Sequence, residues 1–406
     1  MTPDQDFITT GDGSYRLEIP GPGIVMTVDR LARHSGELIG ELTVTCDLPG
    51  AKRVHGGGPL LVGNLNLSSI QARETRAKLL ARRSEAGDFD WYGSLEYFCQ
   101  RVIEAERIGA PAVFLPSVPY PAPDSAWTVH GVPVLKDHPE IIFGDGGACK
   151  SLIALSRAGT LVQQGIPVLY CDWEMTAADH RARLEAIFGL EMPAVLHVRC
   201  EAPLVHEAER LLRLIVAHHI EYLILDSIAY GCDGKPEDAE VATAYFRAWR
   251  RLKVGATMIA HINRSDTGDQ KPFGSAFWHN SARSTWFAKR SEADGQDGLV
   301  TVALHHRKCN TGPLLSARGL AIRFGSGTIT ITPADLAESE HASSLKIWER
   351  MRARLKHGPQ TLATLAADID AKVTTIEVEV RRKNRLFTKV AGADGVTRIA
   401  LVDRIQ

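Results

Sequence analysis

Short apolar runs open the chain. Between residues 14 and 46 they read SYRLEI, GIVMTV and GELIGELTVTC, broken by proline and glycine, which is the texture of a small β-rich unit. Two helical patterns follow, LSSIQARETRAKLLARR and SLEYFCQRVIEAERIG. FLPSVPYPAPDSAW then places four prolines within ten residues, as an extended linker would. From residue 126 to about 332 the texture changes, and strand-like runs (EIIF, PVLYCDW, VLHVR, EYLILD, ATMIAHI, LVTVALHH) alternate with helical ones. That alternation predicts an α/β fold, a mostly parallel twisted sheet flanked by helices. The last stretch reads helix, helix, helix and a short β-like end, the order of a winged-helix module. The pattern thus predicts an N-terminal β-rich domain with helices (1–110), a proline-rich linker (111–125), an α/β core (126–335) and a C-terminal winged-helix domain (341–406).

Composition adds bounds. With 406 residues, 44% hydrophobic and 23% charged, the chain can bury a sizeable core in two or three domains. A formal net charge of -1 exerts no global pull on nucleic acid, so such binding would need local patches or a ring of subunits. The seven cysteines are scattered and form no C-x-x-C pair, which argues against a disulfide framework or a zinc site and for a reducing, cytoplasmic setting. The start of the chain has neither a basic nor an apolar run, and no stretch reaches about 18 uninterrupted apolar residues, so no membrane partner is expected.

The densest chemistry lies in FGDGGACKSLIAL, residues 143 to 155. A glycine-rich turn between a strand and a helix presents backbone N–H groups to phosphate, and the spacing places Lys150 on the β- and γ-phosphates and Ser151 on magnesium. Gly144, Asp145, Gly146, Gly147, Ala148, Cys149, Lys150, Ser151 and Leu152 are therefore the expected ATP-binding residues, with Mg2+ as cofactor. Cys149 stands where a second glycine is usual; at the turn into the helix its backbone is expected in a region open to any L-residue. Two strands end in acids. Asp226 closes YLILD and can hold the magnesium shell, and Glu174, at a strand end expected beside the loop, can orient and deprotonate an attacking water. A solvated strand end is the alternative for Glu174.

The order GDGGACKS, YCDWE, LILDS, AHINR, KPFGSAFWHNSARSTWF, HHRKCNTG resembles RecA-type ATPases, most closely the RepA-like replicative helicases and their phage relatives. The resemblance spans roughly residues 126 to 332. It implies a RecA-like core in which Glu174 is the water-activating base, Asp226 the second carboxylate and His261 a sensor of the γ-phosphate, unless His261 is simply a satisfied strand-end histidine. It also implies a basic finger reaching into a neighbouring subunit's site, for which Arg307 and Lys308 are the candidates, a solvated strand end being the bland alternative. The finger implies a homo-oligomer, a hexameric ring or a filament.

The same resemblance directs two loops towards DNA, one carrying Lys235 and the other Arg264 and Lys271, although both contain as many acids as bases. Independently, VRRKNRLFTK concentrates Arg381, Arg382, Lys383, Arg385 and Lys389 at the end of a recognition-helix candidate, where phosphate contacts would position a duplex, a protein-docking module or a merely solvated helix end being the alternatives. Single-stranded DNA is the expected partner of a helicase-like ATPase of replication or recombination. An ATP-gated regulatory or scaffold protein is the alternative.

Overall fold

The computed structural model describes residues 6–10, 13–54, 57–86, 88–109, 112–119, 126–262, 272–291, 298–336, 342, 345–392 and 394–402. The chain divides into two compact units, Met1–Pro121 and Ala122–Gln406. The candidates Arg264 and Lys271 lie outside the described residues.

In the first unit, β1 (Asp6–Thr9), β2 (Tyr15–Ile19), β3 (Ile24–His34), β4 (Glu37–Thr45) and β5 (Leu61–Asn66) form an antiparallel meander in sequence order. Alternation along the strands turns Leu17, Ile24, Met26, Val28 and Leu42 inward, where they meet Leu95, Phe98 and Val102 of α2 (Trp91–Ile108) and Leu80 of α1 (Ile70–Ser84). Both helices start on side-chain caps, Ser69 and Asp90, which satisfy amides that the helix itself leaves unpaired.

The second unit opens with a two-stranded ribbon, β6 (Ala126–Val129) and β7 (Val132–Leu135). Next come β8 (Pro139–Gly144), α3 (Lys150–Gln163), β9 (Val168–Asp172), α4 (Ala177–Phe188), β10 (Leu196–Arg199), α5 (Leu204–Ala217), β11 (Tyr222–Asp226), α6 (Ile228–Gly231), α7 (Ala239–Leu252), β12 (Gly255–Ala260), α8 (Ala276–Ser281), β13 (Ser284–Arg290), β14 (Leu299–Cys309), β15 (Arg318–Phe324) and β16 (Ile329–Ala334). Among the described residues the strands β8 to β16 make one nine-stranded sheet, ordered β10-β9-β11-β12-β8-β13-β14-β15-β16. Strands β10 to β13 along that order are parallel, and the three that follow are antiparallel. Strands β8, β9, β11 and β12 are buried at every residue, as their unbroken apolar runs require when helices cover both faces. Their carboxyl ends all point to one edge of the sheet.

The structure corrects one detail of strand placement. Glu174 follows β9, which does not lie beside the strand that feeds the phosphate loop: β11 and β12 stand between β9 and β8. The connection β8–α3–β9 crosses over both, and because the strands are parallel the end of β9 still reaches the same edge.

One charged network lies inside this core. Arg157 of α3, 2% exposed, donates to Glu140 of β8, wholly buried, and to Thr257 Oγ1 at 2.8 Å; Tyr222 and Thr257 share a further hydroxyl contact at 2.9 Å. Past the sheet, α9 (Ile347–Leu355), α10 (Leu362–Asp368), α11 (Val373–Arg382) and the hairpin β17 (Phe387–Ala391) and β18 (Thr397–Leu401) enclose a small core of Met351, Leu355, Leu365, Ile376, Phe387 and Ile399. Among the described residues no helix is long and apolar enough to cross a membrane.

Candidate active site

Gly144 ends β8 so close to the neighbouring strand that a Cβ there would stand 2.3 Å from the Ala288 carbonyl oxygen, which excludes any larger residue. The loop then turns through Gly147 at φ 83°, a conformation glycine adopts without steric cost. The next turn is made by Cys149, and it corrects the expectation for this residue. Cys149 has φ 56° and ψ 22°, the left-handed region, so the position asks for the glycine that the chain lacks. An L-residue held there costs about 1–2 kcal/mol, because its Cβ crowds the following carbonyl. The Cys149 thiol turns back to the Gly147 carbonyl at 3.7 Å.

Helix α3 starts directly after Cys149 with no side-chain cap on its first amides. Unpaired amides and the positive end of the helix dipole are what an anionic phosphate binds. Lys150, 6% exposed, folds over the loop, and its ammonium donates to the carbonyls of Gly144 at 2.9 Å and Asp145 at 2.7 Å. Burial pulls its pKa down, while Asp226, Asp145 and Glu174 pull it back up.

Across from the loop, Asp226 ends β11 at 3% exposure. It accepts a hydrogen bond from Tyr170 Oη at 2.7 Å. Desolvation raises its pKa, opposed by hydrogen bonds from Tyr170 and Ser151, and the nearby carboxylates Asp172 and Glu174 add to the rise. A buried acid crowded by other acids and bonded to the loop serine suits a cation, so the donor set fits magnesium: Ser151 and Asp226 are the residues that would hold it. Glu174 is exposed at the end of β9 and accepts a hydrogen bond from Ser227. The Asp226–Ser227 peptide bond is cis.

Gly146, Gly147, Cys149, Lys150, Ser151, Leu152, Glu174, Asp226 and His261 line one cavity of about 350 Å³. Asp145 and Ala148 complete the loop, Ala148 turned into the core. His261 follows β12, and burial lowers its pKa, with the Lys150 charge adding to the fall. A neutral imidazole at that point can accept or donate a hydrogen bond. Four groups that the sequence placed on separate strands are thus brought together at one sheet edge, where ligands bind in open α/β sheets.

The cavity also has walls that sequence reasoning did not reach. Arg183 of α4 brings a guanidinium to it, and Phe324 and Ile329, from the hairpin of β15 and β16, supply an apolar side. Arg183 sits among other charges in a helical pattern, and the hairpin belongs to the antiparallel end of the sheet, so neither carried a local motif.

Arg307 and Lys308 do not line this cavity. In the pairing of β13 with β14, Thr285 faces Lys308 and Trp286 faces His306, leaving Arg307 as the extra residue of a bulge. A bulge re-aims a side chain, and exposed Arg307 lies 5.7 Å from the Phe287 ring centroid, two strands from the phosphate loop. Lys308 is placed otherwise than a projecting finger: its ammonium donates to the carbonyls of His279, Asn280 and Ala282 at 2.9, 2.6 and 2.7 Å. It closes the C-terminal end of α8, and burial lowers its pKa.

Among the nucleic-acid candidates, Lys235 is exposed on the loop after α6. Arg381 and Arg382 occupy the last turn of α11, and Lys383 and Arg385 follow, all exposed. Lys383 sits 5.3 Å from the centre of the Trp348 ring, and Arg382 pairs loosely with Glu379 at 4.0 Å.

No protein family and no curated protein matches this chain. Solved structures do resemble it: a KaiC-like protein from the hyperthermophilic archaeon Pyrococcus horikoshii OT3, 14% identical with a TM-score of 0.39, covers 49% of this chain and 91% of its own. The ATPase domain of G40P, 13% identical with a TM-score of 0.38, covers 48% of this chain and 84% of its own.

Proposed function

We propose that this chain is a RecA-type ATPase that hydrolyses Mg-ATP and works as an oligomer on DNA, in a helicase-like role in replication or recombination. The observation that carries the ATPase reading is the meeting of Lys150, Ser151, Asp226 and Glu174 around one 350 Å³ cavity at an uncapped helix start. In that arrangement the α3 amides and Lys150 would hold the β- and γ-phosphates, and Ser151 and Asp226 would hold magnesium, which would neutralise phosphate charge. Glu174 takes a proton from water as the water oxygen attacks the γ-phosphorus and the bond to the β-phosphate oxygen breaks. The strand order supports the grouping with RecA-type enzymes, since one strand, β12, separates the loop strand from the Asp226 strand.

Two features support assembly and DNA. Arg307 is exposed on its bulge and does not line its own cavity, which supports a role at the site of a neighbouring subunit, in a ring or a filament. The exposed cations at the end of α11, on three helices followed by a hairpin, suit phosphate contacts of a winged-helix module. A second reading, an ATP-gated regulatory or scaffold protein, is favoured by the net charge of -1. Steady-state ATP hydrolysis with and without single-stranded DNA separates the two. Strong stimulation that Glu174→Gln abolishes supports the motor; slow turnover indifferent to DNA supports the switch, and no turnover at all overturns both.

A further inference from the structure

Behind the ends of β9 and β10 lies a second polar cluster. Asp172, the last residue of β9, is wholly buried; His180, in the first turns of α4, is 4% exposed; and His197 lies on β10 directly opposite Tyr170. One ligand atom from each of the three lies within 4.8 Å of the others. Asp172 Oδ2 and His180 Nε2 are 2.5 Å apart, and the two imidazole rings are 5.2 Å apart between centres.

Two nitrogens of this cluster, His180 Nδ1 and His197 Nε2, are buried with no hydrogen-bond partner among the described residues. Buried polar atoms without partners are uncommon, and two in one cluster call for a ligand. The tautomer logic says which kind. A buried imidazole nitrogen with no partner offers a lone pair to a cation, and an ion that displaces the proton between His180 and Asp172 would take both as ligands. Arg199 approaches Asp172 through the other oxygen, Oδ1, at 3.4 Å, which leaves Oδ2 on the imidazole side.

We propose that Asp172, His180 and His197 form a binding site for a divalent transition metal ion of the zinc class. Two imidazoles and one carboxylate make a donor set suited to zinc rather than to magnesium or calcium, which take oxygen ligands. Bond lengths of about 2.0–2.2 Å require ligand atoms about 3–3.5 Å apart around a tetrahedral ion, so the 2.5 Å pair of Asp172 Oδ2 and His180 Nε2 would open and the wider separations, all within 4.8 Å, would close by side-chain rotation. The site uses no cysteine and therefore left no trace in the cysteine spacing.

Its position gives the ion a purpose. Asp172 Oδ1 accepts the backbone amides of Glu174 at 2.5 Å and Met175 at 2.6 Å. Tyr170, whose ring lies 4.6 Å from that of His180, holds Asp226 through its hydroxyl. An ion here would hold the backbone turn that carries Glu174 and, through the ring packed against His180, the tyrosine that bonds the Asp226 carboxylate, whether or not the loop hydrolyses ATP.

The test uses the untagged full chain, freed of metal by a chelator and titrated with zinc alone and, separately, with cobalt alone. One zinc per chain is expected, with a rise in the thermal unfolding midpoint and a four-coordinate cobalt spectrum lacking a thiolate charge-transfer band. His197→Gln, checked for folding by circular dichroism, should weaken zinc binding at least tenfold, and His180→Gln should do likewise. A wild-type chain that takes up less than one equivalent overturns the proposal however the variants behave. Undiminished binding in folded His197→Gln, or a thiolate band, overturns it as well, because the ion would then sit on other ligands.

Discussion

Ser227 donates its hydroxyl to Glu174 Oε1 at 2.5 Å, tying the residue after Asp226 to the carboxylate after β9. The bond spans the ends of two adjacent strands, β9 and β11, and holds the exposed Glu174 side chain, which lines one cavity with the phosphate loop. If Glu174 is the base, Glu174→Gln keeps ATP binding and lowers turnover by about two orders of magnitude or more, the loss expected when a general base is removed. Ser227→Ala leaves the base in place but less well held, so its turnover should fall by a smaller factor with nucleotide affinity unchanged. Stopped ATPase assays beside equilibrium nucleotide titration check both, and wild-type turnover in Glu174→Gln would remove Glu174 from the chemistry.

The left-handed backbone of Cys149 yields a second prediction. Glycine relieves the steric cost at this position but adds freedom to the unfolded chain, worth about 0.4–1 kcal/mol, so Cys149→Gly should be neutral or mildly stabilising. A β-branched side chain tolerates the region worst, and Cys149→Val should destabilise by about 1–2 kcal/mol or more. Thermal unfolding of the two variants reads the difference. Equal midpoints for glycine and valine would mean that the strain is absent.

Neighbouring cations on β14 should behave differently. Lys308 satisfies three carbonyls at the end of α8, so Lys308→Ala is expected to lower stability before it affects chemistry. Arg307→Ala should impair hydrolysis while sparing ATP binding. Mixing Arg307→Ala with Lys150→Ala subunits should restore activity, since each then supplies what the other lacks at a shared interface. If no mixing ratio restores activity, Arg307 does not act across subunits.

Much of the α/β core was legible because its central strands carry unbroken apolar runs and its loop carries glycines and a lysine at fixed spacing. The strand β13 and the hairpin of β15 and β16 were missed: STWFAKR mixes polar and apolar residues, and an antiparallel edge has no βα punctuation to announce it. Sheet order was also invisible locally. Whether β9 neighbours β8 depends on which crossover packs best, a long-range choice that a strand's own residues do not encode. At the site, residue identities were readable and backbone conformation was not, so Cys149 was placed in the loop correctly but assigned an ordinary backbone. Lys308 was read by its charge, whereas its contacts are with carbonyls 26 to 29 residues away in sequence.

The buried pair of Arg157 and Glu140 makes a prediction about the sheet's interior. Both charges are desolvated, so removing one partner leaves the other uncompensated, and Arg157→Met should destabilise by about 3–5 kcal/mol. Replacing both, with Glu140→Gln and Arg157→Met together, should cost clearly less than the sum of the single changes. Denaturant unfolding of the two single variants and the double variant forms a cycle, and strict additivity would deny the coupling.

His306 gives the pH dependence its sign. Its ring stacks on Trp286 at 4.1 Å between centres and 8° between planes, its Nδ1 accepts the Leu315 amide at 3.0 Å, and its Nε2 therefore carries the proton and faces Ser284 Oγ at 3.0 Å. Burial opposes the charged ring and lowers the pKa from its ordinary 6.5 to about 4, against a backbone hydrogen bond with Lys308 that raises it; protonating Nδ1 would also break the bond from Leu315. In the unfolded chain the ring takes up its proton near 6.5, and in the folded chain only near 4, so between these values the unfolded state holds more protons and stability rises with pH. The contribution is complete above 6.5 and is lost as the pH falls towards 4. His130, His197 and His261 are lowered chiefly by burial and act in the same direction. Unfolding free energy measured from about pH 7 to about pH 5 should therefore decline on acidification, and His306→Gln, which cannot titrate, should be less stable at neutral pH but show a shallower decline. An equal slope in that variant would assign the acid sensitivity to the other histidines.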